Sequence, residues 1–306
     1  MSDARDRVRF GTSSWAYEGW QGLVYTRSYP RTRFAKDCLA EYAAYEYDGA
    51  PLFKTVGLDH TFYRPPDIHL LIHYAAQVPA DFHFCSKVWE DITVPTFANL
   101  PRYGLRAGKP NPRFLDPALC DEFVLRPWHE GLGARAGPLI FEFQRSGLDS
   151  DEFLAALDRF FAKLPVGPQY AVEVRNPAHL GPRYRDLLKA YGVAHVYNHW
   201  TAMPPLLEQH RRLGRTLTAG FTVLRLLTPL GLAYAKAVER YEPYTRIVKA
   251  QPRMRQDTLA LIRQALTDGV TPYILANNRV EGNAPLTVQA LADALREDRG
   301  PSIADL

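Results

Sequence analysis

The sequence, which is 306 residues long, predicts an α/β protein built as a (β/α)8 TIM-like barrel. Eight apolar runs rich in β-branched and aromatic residues alternate with eight stretches of helical periodicity, an order typical of parallel strands joined by right-handed crossovers. Eight such units in about 300 residues fit a closed barrel better than the alternative, a doubly wound open sheet. The first strand also lacks the G-x-G-x-x-G turn that usually marks that alternative. We therefore expect one barrel domain over residues 1–306, with its core at about 8–297.

Each predicted element is a segment whose apolar residues repeat with the period of a strand or of a helix. The helix over 151–164 has the clearest pattern, because Phe153 and Leu157 lie on one face and Asp149 can pair with Glu152 to cap its start. The predicted strands are 7–13, 51–59, 81–88, 138–144, 169–175, 193–198, 219–226 and 272–277. The predicted helices are 35–47, 67–77, 118–130, 151–164, 182–191, 203–213, 254–266 and 286–297.

Two irregular segments interrupt this order, residues 91–117 after the third strand and residues 227–253 after the seventh. The first is rich in Pro, Gly and Arg and has little periodicity, so we interpret it as a loop insertion. In a barrel both segments follow the carboxyl ends of strands, where long loops usually bind or cover ligands. We expect both to border the functional site.

Composition argues against several classes of protein. With 46% hydrophobic residues the chain can form a large core, and its net charge of +4 is too small to indicate a nucleic acid partner by itself. No apolar run is long enough for a membrane helix, and the N-terminus is charged where a signal peptide would be apolar. We therefore expect a cytoplasmic protein with no membrane partner. The three cysteines are far apart, which favours free thiols over a disulfide framework or a zinc site.

The segment YAVEVRNPAHL, residues 170–180, places two opposite charges, Glu173 and Arg175, at alternate positions of an otherwise apolar strand. Alternate residues of a barrel strand face the same side, so both would point into the lumen near its carboxyl end. They could meet a ligand there, or they could form an ion pair that only closes the top of the barrel. Lys87 is likewise a charged residue at the carboxyl end of a predicted strand, the third. We take Glu173 and Lys87 as the candidate catalytic residues.

Other polar and aromatic residues fall at or just beyond predicted strand ends, where a barrel places its active site. The polar groups could orient a ligand and the rings could stack on it, although a large aromatic residue often only anchors a loop. The candidate ligand-binding residues are Thr12, Ser13, Trp15, Trp20, His60, Tyr63, Arg175, Asn198, His199, Arg225, Asn277, Asn278 and Asn283.

The last of these candidates lies in the turn NNRVEGNAP, residues 277–285, which is expected to run from the eighth strand directly into the final helix. The free N–H groups of that helix would then face the rim beside Arg225 and could bind a phosphate. The alternative is an ordinary helix cap, in which Asn283 satisfies those N–H groups without any ligand.

These residues favour an enzyme that acts at the barrel mouth on a small polar or anionic ligand, sugar-like and carrying a phosphate or a carboxylate. Glu173 would transfer protons by general acid/base catalysis, and Arg175 with Lys87 would hold negative charge. No motif calls for a cofactor. His60, His199 and Glu173 could supply ligands to a metal, but no spacing requires one.

The alternative is a non-catalytic binding module whose partner would be nucleic acid. Single-stranded nucleic acid is usually bound by cations interleaved with aromatic rings, and the basic segment 101–113 has Tyr103 as its one ring. A solvated surface loop is the simpler interpretation of such a charge run. The cations of this segment are Arg102, Arg106, Lys109 and Arg113.

Several stretches together resemble the YecE-like proteins, the domain of unknown function 72 family, over roughly residues 8–297. The segments that carry the resemblance are GTSSWAYEGWQGLVY, KTVGLDHTFYRPP, FCSKVWEDIT, AVEVRNP and LANNRVEGNAP. The resemblance implies a TIM-like barrel whose activity is not established. The chain departs from the family pattern in having Gly57 and Asp59 where many relatives have glutamate and asparagine, and its insertion at 91–117 is longer than the usual family loop.

Overall fold

Eight parallel strands form a closed barrel in the computed structural model, which describes residues 4–145 and 149–297. Each strand pairs with its neighbours in chain order, and β1 closes the ring by pairing with β8. The predicted (β/α)8 TIM-like barrel is therefore confirmed. The strands, numbered along the chain, are β1 Arg9–Thr12, β2 Thr55–Leu58, β3 His83–Lys87, β4 Ala136–Phe143, β5 Tyr170–Val174, β6 Ala194–His199, β7 Phe221–Leu226 and β8 Thr271–Ala276.

Helical segments connect the strands, and each predicted helix overlaps at least one of them. The helix Ser150–Phe161 begins as predicted, because the side chain of Asp149 accepts a hydrogen bond from the N–H of Glu152 and Phe153 is buried below it. The α-helices are Phe34–Asp37, Leu39–Ala43, Ile68–Ala75, Glu90–Thr93, Pro117–Cys120, Arg126–Leu132, Ser150–Phe161, Pro182–Ala190, Leu206–Arg212, Tyr234–Tyr241, Pro252–Thr267, Asn278–Glu281 and Ala284–Arg296.

The predicted helix over 35–47 is too long, because helical structure ends at Ala43. A two-stranded antiparallel hairpin over residues 46–51 follows it. The turn residues Asp48 and Gly49 have φ values of 54° and 75°, the left-handed conformation that Asp-Gly adopts in tight hairpins. The Asp-Gly pair was the sequence signal for this turn, and it outweighs the helical periodicity around it.

The lumen of the barrel is apolar below and polar above. Residues two positions apart on a strand face the same side, so the next lumen-facing residue above an apolar one can be read directly from the sequence. The apolar layer consists of Cys85, Ile140, Ala171, Ala194, Val196, Phe221, Val223, Tyr273 and Leu275. The residues that follow two positions later on these strands include Lys87, Glu142, Glu173, Asn198, Arg225 and Asn277. Polar side chains therefore close the carboxyl end of the lumen.

The three cysteines are free and buried, as expected. Burial raises the pKa of the Cys38 and Cys85 thiols to about 12, so neither is a reactive thiolate at neutral pH. Within residues 4–145 and 149–297, no helix is both long and apolar enough to cross a membrane.

Two histidines lie in a buried polar network behind the barrel wall. The Nδ1 atom of His195 is 3.1 Å from the hydroxyl of Tyr184, and the Nδ1 atom of His210 is 2.8 Å from the hydroxyl of Tyr197. Burial lowers the pKa of His195 to about 3 and that of His210 to about 4. Both rings are therefore neutral in the folded protein well below the pH at which an exposed histidine takes up a proton.

We expect these two histidines to make the fold sensitive to mild acid. The unfolded chain protonates them near pH 6.5, whereas the folded protein does not, so stability is complete above about pH 6.5 and falls below it. The expected loss is up to about 1.4 kcal/mol per histidine for each pH unit. Urea denaturation between about pH 7.5 and pH 5 should give a shallower dependence in His210→Asn than in the wild type. The exposed His73 supplies the control, because His73→Asn should keep the wild-type slope; equal slopes in all three proteins would contradict this account.

Candidate functional site

A cavity of about 650 Å³ opens at the carboxyl ends of the barrel strands. Both irregular segments recognised in the sequence contribute to its walls, as expected. The insertion 91–117 supplies Val94, Thr96, Ala98, Leu100, Arg102 and Tyr103, and the segment 227–253 supplies Leu227, Thr228 and Tyr234. The floor consists of charged side chains from the strands and from residues just beyond their ends.

Glu142, on β4, is the centre of that floor. It is 2% exposed, and its Oε2 atom lies 3.0 Å from the Nζ of Lys87, 2.9 Å from an Nη of Arg175 and 2.9 Å from an Nη of Arg225. Its other oxygen accepts a hydrogen bond from the side-chain amide of Gln144. One carboxylate thus joins cations from three different strands or strand ends.

Glu173, on β5, lies beside Glu142 and pairs with the same two arginines. The strands place Glu142 and Glu173 opposite each other in register. Glu173 Oε2 accepts from an Nη of Arg225 at 2.5 Å, and its Oε1 lies 2.6 Å from Arg175 Nε in an ion pair that lacks hydrogen-bond alignment. Glu173 is fully buried and does not line the cavity, whereas both arginines do. The inward orientation predicted for Glu173 and Arg175 is confirmed.

Asp59, just after β2, completes the cluster. Its Oδ1 accepts a hydrogen bond from Arg225 Nη2 at 3.0 Å, and its side chain is 39% exposed. It lines the cavity together with Glu142. The floor therefore has three carboxylates facing three cations, and Asp59 is the carboxylate most accessible to a ligand. The six residues of this ionic cluster are Asp59, Lys87, Glu142, Glu173, Arg175 and Arg225.

The cluster keeps Glu142 and Arg225 ionised. Burial alone would raise the pKa of Glu142, but Arg175, Lys87 and Arg225 hold that pKa well below its usual range. Burial alone would lower the pKa of Arg225, but Glu173, Asp59 and Glu142 raise it. Charges buried this deeply are stable only when each has partners of opposite sign, and here every one does.

Sequence reasoning missed Glu142, although a signal was present. The segment PLIFEF, which precedes Gln144, contains one acid in an otherwise apolar strand, the same pattern that drew attention to Glu173. Glu142 was not predicted as a site residue because it lies one position before the end of β4, whereas most candidates were chosen at or beyond the strand ends. Arg279 and Asp59 were also missed as cavity residues; both follow strand ends within one to three positions.

Five predicted site residues line the cavity and the others do not. Trp15 and Trp20 anchor loops instead, because their indole N–H groups donate to Ala35 O at 2.9 Å and to Asn278 Oδ1 at 3.1 Å. The residues that line it are Tyr63, Lys87, Arg175, Arg225 and Asn277. The residues that do not are Thr12, Ser13, Trp15, Trp20, His60, Glu173, Asn198, His199, Asn278 and Asn283.

Several of the residues outside the cavity have structural contacts. The hydroxyl of Thr12 bonds that of Tyr42 at 2.8 Å, and the amide of Asn198 donates to Val174 O at 3.1 Å. His199 is buried, and burial lowers its pKa to about 4. Burial and the nearby Arg64 lower the pKa of His60. Among residues 4–145 and 149–297 no group of three or more His, Cys, Asp or Glu side chains is placed to hold a metal ion.

The turn before the final helix differs from its prediction. The chain does not pass directly from β8 into that helix, because the short helix Asn278–Glu281 lies between them. Asn283 Oδ1 accepts from the N–H of Leu286 at 2.9 Å, and Asn278 Oδ1 accepts from the N–H of Ala284 at 2.8 Å. Side chains thus already cap the N–H groups that a phosphate would need, and Asn283 is fully buried. The ordinary capping interpretation applies.

The arginines of the basic segment 101–113 are tied to buried acids. Arg106 and Arg113 both pair with Asp91, at 3.0 and 3.1 Å, and Arg102 pairs with Glu90 at 2.9 Å. Asp91 and Glu90 are buried in the short helix Glu90–Thr93 that follows β3, so these pairs fix the later part of the insertion to its own first helix. The segment therefore presents less free positive charge than its sequence indicates.

We expect replacement of Glu142 by glutamine to destabilise the fold strongly, because it leaves the buried Arg175 and Arg225 and the partly buried Lys87 with two carboxylates. The free energy of unfolding should fall by about 3–5 kcal/mol, measured by chemical denaturation. Adding Lys87→Met to Glu142→Gln removes one surplus cation, so the double variant should lose less than the sum of the two single losses.

The control for this experiment is Asp151→Asn, which removes an ion pair with Arg183 that is 73% exposed on both sides. Asp151→Asn should lower the free energy of unfolding by less than about 1 kcal/mol. Glu142 would not be the centre of the cluster if Glu142→Gln lowered the free energy of unfolding as little as Asp151→Asn does. Strictly additive losses of this free energy in the double variant would lead to the same conclusion.

Comparison with known proteins agrees with this fold. The structure of TM1631 from Thermotoga maritima MSB8 superposes with a TM-score of 0.61 at 18% sequence identity, covering 94% of this chain and 98% of that one. EF0366 from Enterococcus faecalis V583 superposes with a TM-score of 0.63 at 13% identity, covering 94% and 97%. No curated protein matches the sequence. The profile of the family described as "Protein of unknown function DUF72" matches residues 9–304, and the chain therefore belongs to the DUF72 family.

Proposed function

We propose that the barrel mouth binds a small anionic organic molecule, and that the protein is an enzyme that acts on it. The observation that carries the proposal is the charge of the cavity wall, where cations outnumber carboxylates. The lining cations are Lys87, Arg102, Arg145, Arg175, Arg225 and Arg279, and the lining carboxylates are Asp59 and Glu142. A cleft lined mainly by one sign of charge concentrates ligands of the opposite sign.

The surplus charge lies in the wall above the ionic cluster. Three carboxylates balance three cations within the cluster, but Arg279 has no ion pair with any of the described residues and stacks on Tyr234 at 4.6 Å. Lys87 has three N–H donors and one carboxylate partner, so it retains donors for a ligand. Arg279 and Lys87 are therefore the groups best able to hold a phosphate or carboxylate.

Lys87 and Asp59 are also the best candidates for proton transfer. Lys87 can donate a proton, and the partly exposed carboxylate of Asp59 can accept one. Glu173 remains outside the cavity, and its contacts with Arg175 and Arg225 assign it to positioning these arginines. This replaces the direct catalytic role that the sequence suggested for Glu173.

Anion binding is tested with pairs of compounds that differ only in charge. We expect sugar phosphates and sugar acids to bind, measured by isothermal titration calorimetry, and their uncharged parent sugars not to bind. Binding should weaken as salt is raised. Arg279→Gln and Lys87→Met should each weaken it by about tenfold, the usual effect of losing a charged hydrogen bond.

Arg183, on the surface and paired with Asp151, is the matched control. Arg183→Gln should leave binding unchanged. The proposal fails if uncharged sugars bind as tightly as their phosphates, or if Arg279→Gln and Lys87→Met bind anions as the wild type does.

Enzymatic action is tested separately through Asp59. For any anion that binds and is converted, Asp59→Asn should keep the affinity within about threefold and reduce turnover by about 10²-fold or more, because a positioned proton acceptor typically contributes that much. Product formation can be followed by NMR spectroscopy. Full turnover in Asp59→Asn would exclude it as the base, and binding without conversion of any ligand would leave a binding protein instead of an enzyme.

A further inference from the structure

The aromatic residues of the mouth cavity share an unusual feature. Among the described residues five rings line it, and each has a cation over one of its faces. The pairs are Lys87 over Phe62 at 3.9 Å, Arg102 over Tyr63 at 5.0 Å and Tyr103 at 4.6 Å, Arg175 over Trp200 at 4.6 Å, and Arg279 over Tyr234 at 4.6 Å.

These pairs argue against two kinds of contact that ligands commonly make with the ring faces of aromatic cavities. They do not affect binding through an acid group, which is how a sugar phosphate would be held. A cage of rings binds quaternary ammonium groups through their negative faces, but the protein's own cations already occupy those faces here and would repel such a ligand. A saturated sugar stacks its C–H groups, which are slightly positive, on electron-rich rings. Rings whose π electrons are drawn toward a cation are poorer partners for it.

Two of the rings remain largely open to solvent. Tyr63 is 61% exposed and Tyr234 is 57% exposed, the highest values among the aromatic residues that the structure describes. Large aromatic side chains usually bury most of their surface, so two such rings on the rim of one cavity form surfaces for a ligand. The Arg102 guanidinium contacts Tyr63 and that of Arg279 contacts Tyr234, and a planar guanidinium also stacks on flat conjugated groups.

We propose that the ligand of this cavity carries a flat conjugated ring next to its anionic group, so that it is an aromatic phosphate or an aromatic carboxylate. This inference rests on the proposed function, because it assumes that the cavity binds an anion. The cations hold the acid group. Tyr63, Tyr234 and the guanidinium groups beside them hold the ring, which is electron-rich and therefore suited to a wall made positive by arginine.

The test compares probes of equal charge and similar size that differ in the ring. Phenyl phosphate is compared with cyclohexyl phosphate, and benzoate with cyclohexanecarboxylate, by isothermal titration calorimetry with the full chain. The aromatic member of at least one pair should bind about tenfold more tightly, the usual benefit of a stacked ring. The pair that shows the preference identifies the acid group as phosphate or carboxylate.

Variants of the two exposed tyrosines test whether these rings cause the preference for the aromatic probe. Tyr234→Leu should reduce the preference for the aromatic over the cyclohexyl probe from about tenfold to less than about threefold. Tyr63→Leu, which changes a ring on a different loop, offers an independent second variant. Tyr191, which borders a different cavity near the amino ends of the strands, is the control, because Tyr191→Leu should keep the full preference.

The outcomes separate this inference from the proposed function. Equal binding of aromatic and cyclohexyl probes overturns the inference and leaves anion binding supported. An undiminished preference in both Tyr234→Leu and Tyr63→Leu overturns it as well. Failure of all four probes, while a sugar phosphate or sugar acid binds, overturns the aromatic ligand and retains the anionic one; failure of every anion overturns both.

Discussion

The carboxylate of Glu142 at the top of the lumen, in contact with Lys87, Arg175 and Arg225, is the interaction on which the site depends. Buried cations without a counter-charge would be too costly to keep, and these three belong to or follow three different strands. Glu142, Glu173 and Asp59 together match them in number. This balance allows the barrel to end in a rigid, charged floor instead of a further apolar layer.

The neutral floor explains why the cavity above it is positive. The carboxylates of the cluster are paired with the cations beside them. Asp91 and Glu90 are likewise paired with arginines of the insertion 91–117. Arg279, which extends into the wall, has no such partner among the described residues. The acids thus account for both the fold and the charge of the mouth: they are placed where they stabilise the fold, which leaves a surplus of cations in the cavity wall.

The structure also changes the interpretation of the charged pair Glu173 and Arg175 at the end of β5. Glu173 and Arg175 both point inward, as their spacing requires, yet only Arg175 lines the cavity. Glu173 lies two positions earlier in the chain and therefore deeper in the lumen, where Arg175 and Arg225 cover it. An inward charge on a barrel strand is therefore not by itself a catalytic group. Its depth decides whether it contacts ligand or positions the residues that do, and depth depends on how the neighbouring strands are staggered.

The sequence by itself determined the eight strands, the eight helical regions, the Asp149 cap and the inward orientation of Glu173 and Arg175, because each of these depends on residues close together in the chain and on the periods of strand and helix. Only the tertiary structure decided that Glu142 is the centre of the ionic cluster, that Trp15 and Trp20 anchor loops while Tyr63 and Tyr234 border the cavity, and that Asn283 caps a helix. Those outcomes depend on contacts between residues tens to hundreds of positions apart, which are set when the strands close into a ring and bring their ends to one rim.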